Sequence, residues 1–133
     1  MEVREGMSSI VLALGPGHTL REAAVKMTEK GTGAALVFDE ESPAPRIITE
    51  RDILTAIGEG QDPDAEKVAD HMSDSVISAG PDWSLERAAE EMVKLGIRHL
   101  VVVDSGELVG VLSMRDIVRC WTTSGATSSM SPP

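Results

Sequence analysis

The chain has 133 residues, which is enough for one compact domain or two small packed halves but short for a large enzyme. Its 22 acidic residues outnumber its 12 Lys and Arg, and the formal charge of −10 disfavours a surface for nucleic acid or for an anionic membrane. The single cysteine, Cys120, cannot form an internal disulfide, and no apolar run approaches the roughly 20 residues that span a bilayer. We therefore expect a soluble, cytoplasmic protein with an aliphatic core.

The first half of the chain predicts a mixture of strands and helices. Gly15-Pro16-Gly17 ends an apolar run, and Thr19 with Glu22 forms the capping-box pattern that begins a helix. Gly31 is placed to end that helix. The predicted segments are a strand over 10–14, a helix from Thr19 to Gly31, a strand over 34–38, an acidic loop over 39–45, a strand over 46–48 and a helix from Glu50 to near Gly58 or Gly60.

A short connection follows the first half. Asp62-Pro63-Asp64 restarts the chain, and residues 65–72 predict a linker helix with Val68, Ala69 and Met72 facing inward. The acids of this stretch lack the glycine and the distal glutamate of a calcium loop, so we expect no metal here.

The second half repeats the first at a shift of 65 positions, with nine identities in a 25-residue window. The identical pairs are Gly15/Gly80, Pro16/Pro81, Leu20/Leu85, Ala23/Ala88, Ala24/Ala89, Met27/Met92, Gly31/Gly96, Val37/Val102 and Asp39/Asp104. After the loop the shift becomes 64, which aligns Arg51-Asp52-Ile53 with Arg115-Asp116-Ile117. Each half thus predicts strand, helix, strand, strand, helix, with the first helix as a crossover, and we expect the two halves to pack together.

A strand-to-helix junction occurs once in each repeat. Thr49 and Ser113 follow short apolar strands, and the acids Asp52 and Asp116 stand three residues later. A hydroxyl and an acid at a helix N-terminus, beside unpaired N–H groups, can hold a polar anionic small molecule. The same spacing is that of a capping box, which needs no ligand. Both interpretations remain open at this point.

The ordered motifs resemble the cystathionine-β-synthase (CBS) domain in tandem, an arrangement called a Bateman module. The resemblance rests on Gly31 to Asp39 and Gly96 to Asp104, each followed by Thr49-Glu50-Arg51-Asp52 or Ser113-Met114-Arg115-Asp116. It implies an α/β fold with mixed sheets, in which two β-α-β-β-α half-domains pack around a pseudo-twofold axis. The expected boundaries are 1–60 for repeat 1, 61–74 for the linker helix, 75–121 for repeat 2 and 122–133 for a disordered tail.

The resemblance also implies a ligand, an adenine nucleotide of the AMP, ADP or ATP type, in clefts between the two repeats. Thr49 with Asp52, and Ser113 with Asp116, would hold its phosphate and its ribose hydroxyls. Arg51 and Arg115 would add positive charge for phosphate, or would form surface ion pairs.

The base of the nucleotide would lie against the first and second strands. Arg98 and His99, with Val11 and Ile77, correspond to the family's base-binding wall, although core packing is the stronger alternative for the aliphatic residues. His99 is equally compatible with a partly exposed histidine that serves no ligand. Arg46 replaces the glycine found at Gly110, which predicts two unequal clefts.

These features predict a regulatory sensor without catalytic residues, required cofactor or metal, which acts on an unidentified partner in trans and forms a homodimer. Trp83 and Trp121 are the expected exposed aromatics of a self-association surface. The alternative is a ligand-free, dimerising interaction module. An enzyme is disfavoured because Cys120 has no neighbouring histidine in the sequence and no hydrolase, zinc or nucleotide-loop motif occurs.

Overall fold

The computed structural model describes residues 1–74 and 76–123, apart from the side chains of Ser42 and Pro43. Its elements in chain order are α1 (Val3–Gly6), β1 (Ala13–Leu14), α2 (Leu20–Lys30), β2 (Ala34–Asp39), β3 (Ser42–Thr49), α3 (Glu50–Gly58), a 3-10 turn (Val68–Asp70), β4 (Ser78–Ala79), α4 (Leu85–Leu95), β5 (His99–Asp104), β6 (Glu107–Ser113) and α5 (Met114–Thr123). They form two compact units. The first-repeat unit is Val11–Val76, and the second-repeat unit joins Met1–Ile10 to the chain from Ile77 onward.

Each unit contains one three-stranded mixed sheet. In the first-repeat unit β1 runs parallel to β2, and β2 runs antiparallel to β3 with Ala34 opposite Thr49. In the second-repeat unit β4 runs parallel to β5, and His99 at the start of β5 lies opposite Ser113 at the end of β6. A parallel pair needs a crossover, which α2 and α4 provide, whereas the antiparallel pairs need only short turns. The predicted β-α-β-β-α order and mixed α+β class are confirmed.

The core of each unit is aliphatic, as the composition predicts. The first-repeat core consists of Leu14, Leu20, Ala23, Met27, Ala35, Val37, Ile48, Ala56 and Val68. The second-repeat core consists of Val3, Ala79, Leu85, Ala88, Met92, Leu100, Val102, Leu112, Ile117 and Cys120. The apolar faces of the crossover helices supply the three equivalent pairs Leu20/Leu85, Ala23/Ala88 and Met27/Met92. These pairs are identical in the two repeats, so part of the sequence repeat consists of core residues.

The N-terminal segment belongs to the second-repeat unit, although it precedes the first repeat in the chain. The Val3 side chain is fully buried in that core, and the Val3 N–H donates to the carbonyl of Trp83 at 2.8 Å. Ser8 and Val111 exchange two backbone hydrogen bonds of 2.9 and 3.0 Å, so the segment lies along β6.

The segment before the second repeat has the same relation to the first-repeat unit. Val68 is fully buried, and Ser73 exchanges backbone hydrogen bonds of 2.8 and 3.2 Å with Ile47 on β3. Val68 and Ser73 lie 65 positions after Val3 and Ser8, so the repeat extends further toward the N-terminus than the nine identities indicate.

The linker helix expected over residues 65–72 is wrong: only the 3-10 turn forms. Val68 N–H donates to the carbonyl of His18 at 2.8 Å, and Ala69 N–H donates to that of Pro16 at 3.1 Å. These bonds to the turn before α2 take the donors that a helix would use, because tertiary contacts override local preference here. Val68 and Met72 face the core as expected, but Ala69 is exposed.

Four further expectations differ from the structure. The strand predicted over residues 10–14 is short, since only Ala13–Leu14 pairs and Ile10 is 77% exposed. The predicted loop over 39–45 is mostly strand. This strand can contain Pro43 and Pro45 because it lies at an edge of the sheet, where a missing N–H donor is tolerated. Trp83 and Trp121 are half-buried against the second-repeat core and do not form an exposed patch. Of the predicted tail, residues 122 and 123 belong to α5 and the rest lies outside the described residues.

Candidate ligand-binding site

The first junction, where β3 runs into α3, is a closed capping box. The Thr49 N–H donates to Oδ2 of Asp52 at 2.8 Å, and the Asp52 N–H donates to Oγ1 of Thr49 at 3.4 Å. The Thr49 hydroxyl also donates to the same Oδ2 at 3.1 Å. Both side chains therefore satisfy backbone donors that the start of α3 leaves without helical partners.

The second junction, where β6 runs into α5, has the same backbone arrangement with an additional charge. The Ser113 N–H donates to Oδ2 of Asp116 at 2.8 Å, and the Asp116 N–H donates to Oγ of Ser113 at 3.0 Å. Arg119 Nη1 lies 2.9 Å from Asp116 Oδ1, so the second carboxylate oxygen is paired with a guanidinium. At the shift of 64 the residue equivalent to Arg119 is Thr55, which has no charge.

The start of the second strand lies directly beside each junction. The carbonyl of Gly33 accepts the Glu50 N–H at 2.9 Å in the first-repeat unit. In the second-repeat unit the carbonyl of Arg98 accepts the Met114 N–H at 2.9 Å, and His99 lies opposite Ser113 in the sheet. The structure thus brings the start of β5, with Arg98 and His99, next to the junction of the same repeat.

The two predicted first-strand residues are half-buried. Ile77 packs against the second-repeat core, and its carbonyl accepts the Val101 N–H at 3.0 Å, two residues along β5 from His99. Val11 lies one residue before Leu12, whose carbonyl accepts the Leu36 N–H at 2.9 Å. Ile77 therefore packs as a core residue, at the same end of the sheet as His99.

Arg51 and Arg115 are exposed on the first turns of α3 and α5. Positive charge at a helix N-terminus is unfavourable toward the macrodipole but attractive to an anion bound there. Their placement fits both interpretations that the sequence leaves open, the phosphate contact and the surface ion pair.

Arg46 and Gly110, the equivalent positions predicted to make the two clefts unequal, each contact a neighbouring segment of the chain. Arg46 Nε lies 2.8 Å from Asp74 Oδ1, so this side chain forms an ion pair with the segment that follows the 3-10 turn. A Cβ at the equivalent Gly110 would stand 2.6 Å from the carbonyl oxygen of Ser8. The close approach of the Ser8 carbonyl thus requires glycine at position 110, whereas Arg46 pairs with Asp74.

Cys120, His18 and His71, the residues that could serve as nucleophile or base, each have structural contacts. Cys120 is buried in the second-repeat core, next to Gly6. His18 Nδ1 lies 3.1 Å from the backbone nitrogen of Gly15, and His71 Nε2 lies 2.9 Å from Glu66 Oε1. Residues 1–74 and 76–123 contain no cluster of three or more potential metal ligands. In the same part of the chain, no helix combines the length and apolarity needed to cross a bilayer.

The family model for the CBS domain matches the chain twice, over residues 2–59 and 68–122. The chain belongs to the CBS domain family. An uncharacterized protein of Methanopyrus kandleri is 37% identical over 111 residues, which cover 82% of this chain and 57% of that protein. The CBS domain-containing protein YhcV of Bacillus subtilis is 34% identical over 86% of this chain and 81% of its own length. The chain thus spans little more than half of the Methanopyrus relative.

Solved structures of CBS domain proteins have the same fold. A CBS domain protein of Pyrobaculum aerophilum, complexed with AMP, is 32% identical with a TM-score of 0.78 over 96% of this chain and 99% of that one. A hexameric CBS-CP12 protein from bloom-forming cyanobacteria is 26% identical with a TM-score of 0.81, over 89% of this chain and 69% of that one. CBS domain pairs of this kind are ligand-binding regulatory modules.

Three residues that determine the charge around the junctions are not among the predicted site residues: Glu50, Met114 and Arg119. Comparing the repeats at the shift of 64 for differences, as well as for identities, pairs Glu50 with Met114 and Arg119 with Thr55. A comparison of the two repeats for differences therefore identifies all three residues from the sequence alone.

Proposed function

We propose that this CBS domain pair binds an adenine nucleotide at its strand-to-helix junctions and regulates a partner protein in trans. The observation that carries the proposal is the repeated junction, in which a hydroxyl and a carboxylate lie at a helix N-terminus beside the start of the second strand. A carboxylate can accept two hydrogen bonds from a ribose diol, and the N-terminus of a helix attracts phosphate. The similarity to the AMP-complexed relative over nearly the whole chain supports the adenine ligand.

The regulatory role follows the family, whose domain pairs are generally non-catalytic. We propose the same for this chain, and we place its regulation in the cytoplasm because a single cysteine suits a reducing compartment. The ligand is then a signal, since it changes the affinity for a partner without being transformed.

Thermal unfolding of the purified chain tests the proposal. After bound ligand is removed, the Tm is measured with AMP, ADP, ATP, NAD or S-adenosylmethionine added separately. A ligand at a hundred times its Kd stabilises the folded state by about 2.7 kcal/mol, which corresponds to about 8 to 12 °C for a chain of this size. An unchanged Tm with every ligand would contradict the proposal.

The alternative function is a ligand-free interaction module, and the closed capping boxes favour it, because they give both acids a structural role. Asp52→Ala and Asp116→Ala separate the two functions. On the sensor proposal, one of them abolishes the ligand-induced Tm shift; on the alternative, both only lower the basal Tm. Glu22→Ala is the matched control, because Glu22 closes the capping box of α2 away from either junction.

We also propose self-association as a homodimer through outward-facing aliphatic side chains. On α3, Leu54 is 71% exposed and Ile57 is 47% exposed, and on α5 the residue equivalent to Leu54, Val118, is 51% exposed. Exposed aliphatic residues at equivalent positions of both repeats suit contact with a second copy. The assembly of the hexameric relative supports association, and sedimentation equilibrium of the purified chain measures its mass.

A further inference from the structure

The two junctions share their central charges and differ around them. Arg51 and Asp52 are repeated as Arg115 and Asp116, so these residues do not distinguish one junction from the other. Three neighbouring positions differ, and each difference makes the second junction more positive. The pairs are Gly33/Arg98, Glu50/Met114 and Thr55/Arg119, with the first-repeat residue given first.

The first two of these differences are coupled through space. In each unit the two residues are joined by a backbone hydrogen bond of 2.9 Å. A Cβ built on Gly33 would stand 2.9 Å from the carboxyl carbon of Glu50, so the Glu50 side chain covers this buried glycine. The place where a longer residue at position 33 would start its side chain is therefore occupied by a carboxylate. In the second-repeat unit the same place holds the start of the Arg98 side chain, and the helix residue is the neutral Met114.

The third difference acts on the acid of the junction. Arg119 pairs with Oδ1 of Asp116, and Asp116 is only 14% exposed, so the guanidinium offsets much of this carboxylate's charge. At Asp52 both contacts from Thr49 use Oδ2, and the helix residue equivalent to Arg119 is the uncharged Thr55. The first junction thus keeps two carboxylates on the first turn of its helix, whereas the second has one, with an arginine paired to it.

From this difference we infer that the two junctions select ligands that differ in charge. The first junction takes an adenosine derivative whose 5′ substituent is neutral or cationic, such as a thioether or a sulfonium. The second junction takes a phosphorylated adenosine. Glu50 is the specificity residue of the first junction, because its carboxylate repels phosphate at the helix N-terminus, where phosphate would otherwise be attracted. The inference rests on the proposed function, since it assigns ligand classes to the same two junctions.

Isothermal titration of the full-length chain with adenosine, 5′-methylthioadenosine, AMP and ATP tests this selection. Asp52→Ala and Asp116→Ala assign each binding event to a junction. In the wild type, the event lost in Asp116→Ala should strengthen from adenosine to AMP to ATP and weaken with added salt. The event lost in Asp52→Ala should be strongest for adenosine or its thioether.

Exchanging single residues between the repeats then tests Glu50 itself. Glu50→Met should strengthen AMP binding at the first junction about two- to fivefold and leave adenosine binding unchanged, since one nearby exposed charge contributes up to about 1 kcal/mol. Arg98→Gly should weaken ATP binding at the second junction by a similar factor. Glu59→Met, which removes an equal charge at the opposite end of α3, is the control and should change neither.

The outcomes separate this inference from the proposed function. If the nucleosides and nucleotides bind but Glu50→Met and the Glu59 control have the same effect on AMP, the charge selection is wrong and the sensor remains. Equal affinity of both junctions for adenosine and ATP would also overturn the selection. If no ligand of the series binds the wild type, the proposed function fails and the inference fails with it.

Discussion

Neighbouring atoms leave no room for a side chain at Gly110. The carbonyl oxygen of Ser8 and the side chain of Met7 lie over it, so the N-terminal segment approaches the backbone of β6 as closely as glycine permits. In the first repeat the equivalent residue is Arg46, whose side chain forms an ion pair with Asp74. One position thus carries the smallest residue in one repeat and a long cation in the other.

We predict that Gly110→Ala destabilises the protein by about 2 kcal/mol. The new Cβ would stand 2.6 Å from the Ser8 oxygen, and a backbone atom cannot move aside as a flexible side chain would. Denaturant unfolding measures the loss. Gly58→Ala is the control, because a Cβ at Gly58 meets no atom within 4 Å and should leave the stability unchanged or raise it by up to about 1 kcal/mol. Equal stability of the two variants would contradict the prediction.

At the level of single residues, the sequence predicts the two capping boxes but not the charges that surround them. Thr49, Asp52, Ser113 and Asp116 follow from local spacing, because a capping box is formed by residues three apart. The pairing of Asp116 with Arg119 is also local, but the position of Glu50 over Gly33 depends on how β2 and α3 meet, which spacing alone does not give.

Among the elements, the two crossover helices show how local signals set helix boundaries. Both end at a glycine in the left-handed conformation, Gly31 with φ 66° and Gly96 with φ 67°. At the start of α2, Thr19 accepts the Glu22 N–H and Glu22 accepts the Thr19 N–H, which completes the box. At the start of α4, Ser84 accepts the Arg87 N–H, and arginine at the third position cannot return the bond through a carboxylate.

We predict that the first crossover helix makes stability depend on acid pH. The backbone N–H and then the hydroxyl of Thr19 lower the pKa of the Glu22 carboxyl in the folded state. A lowered pKa means that the charged form stabilises the fold above the usual pKa, and that this stabilisation is lost as the pH falls through the folded value. Glu22→Gln should therefore reduce the fall of Tm on acidification. Arg87→Gln, at the equivalent position of α4, should leave that fall unchanged, and an equal effect of both would contradict the prediction.

The elements that the sequence predicts well are those whose signals lie within them. The crossover helices have caps, a glycine stop and an apolar face, so their bounds follow from the chain itself. The linker fails as a prediction because Val68 and Ala69 bond to the turn before α2, about fifty positions earlier in the chain. The sequence pattern within residues 65–72 cannot predict hydrogen bonds to such a distant segment.

For the whole molecule, the most important feature is the exchange of segments between repeats. Each unit consists of one repeat's sheet and crossover helix, together with the short segment that precedes the other repeat. Val3 and Val68 are the buried anchors of these two segments, and both are completely inaccessible to solvent. The compact units therefore do not coincide with the two repeats as they occur along the sequence.

We predict that Val3→Ala and Val68→Ala each cost about 2 kcal/mol and act on different units. Each removes two methyl groups from a fully buried side chain. Native-state hydrogen exchange should show faster exchange at β5 and β6 for Val3→Ala, and at β2 and β3 for Val68→Ala. If Val3→Ala instead accelerated exchange only in the first-repeat unit, the N-terminal segment would not belong where the structure places it.

The segment exchange also sets the order in which the chain can fold during translation. The first-repeat unit is complete in sequence once Val76 has left the ribosome, so its sheet and helices can form early. Met1–Ile10 is synthesised before β6 and α4, so it can pack into the second-repeat unit only after they have been made. Until β6 and α4 have been made, the Val3 side chain has no core to enter.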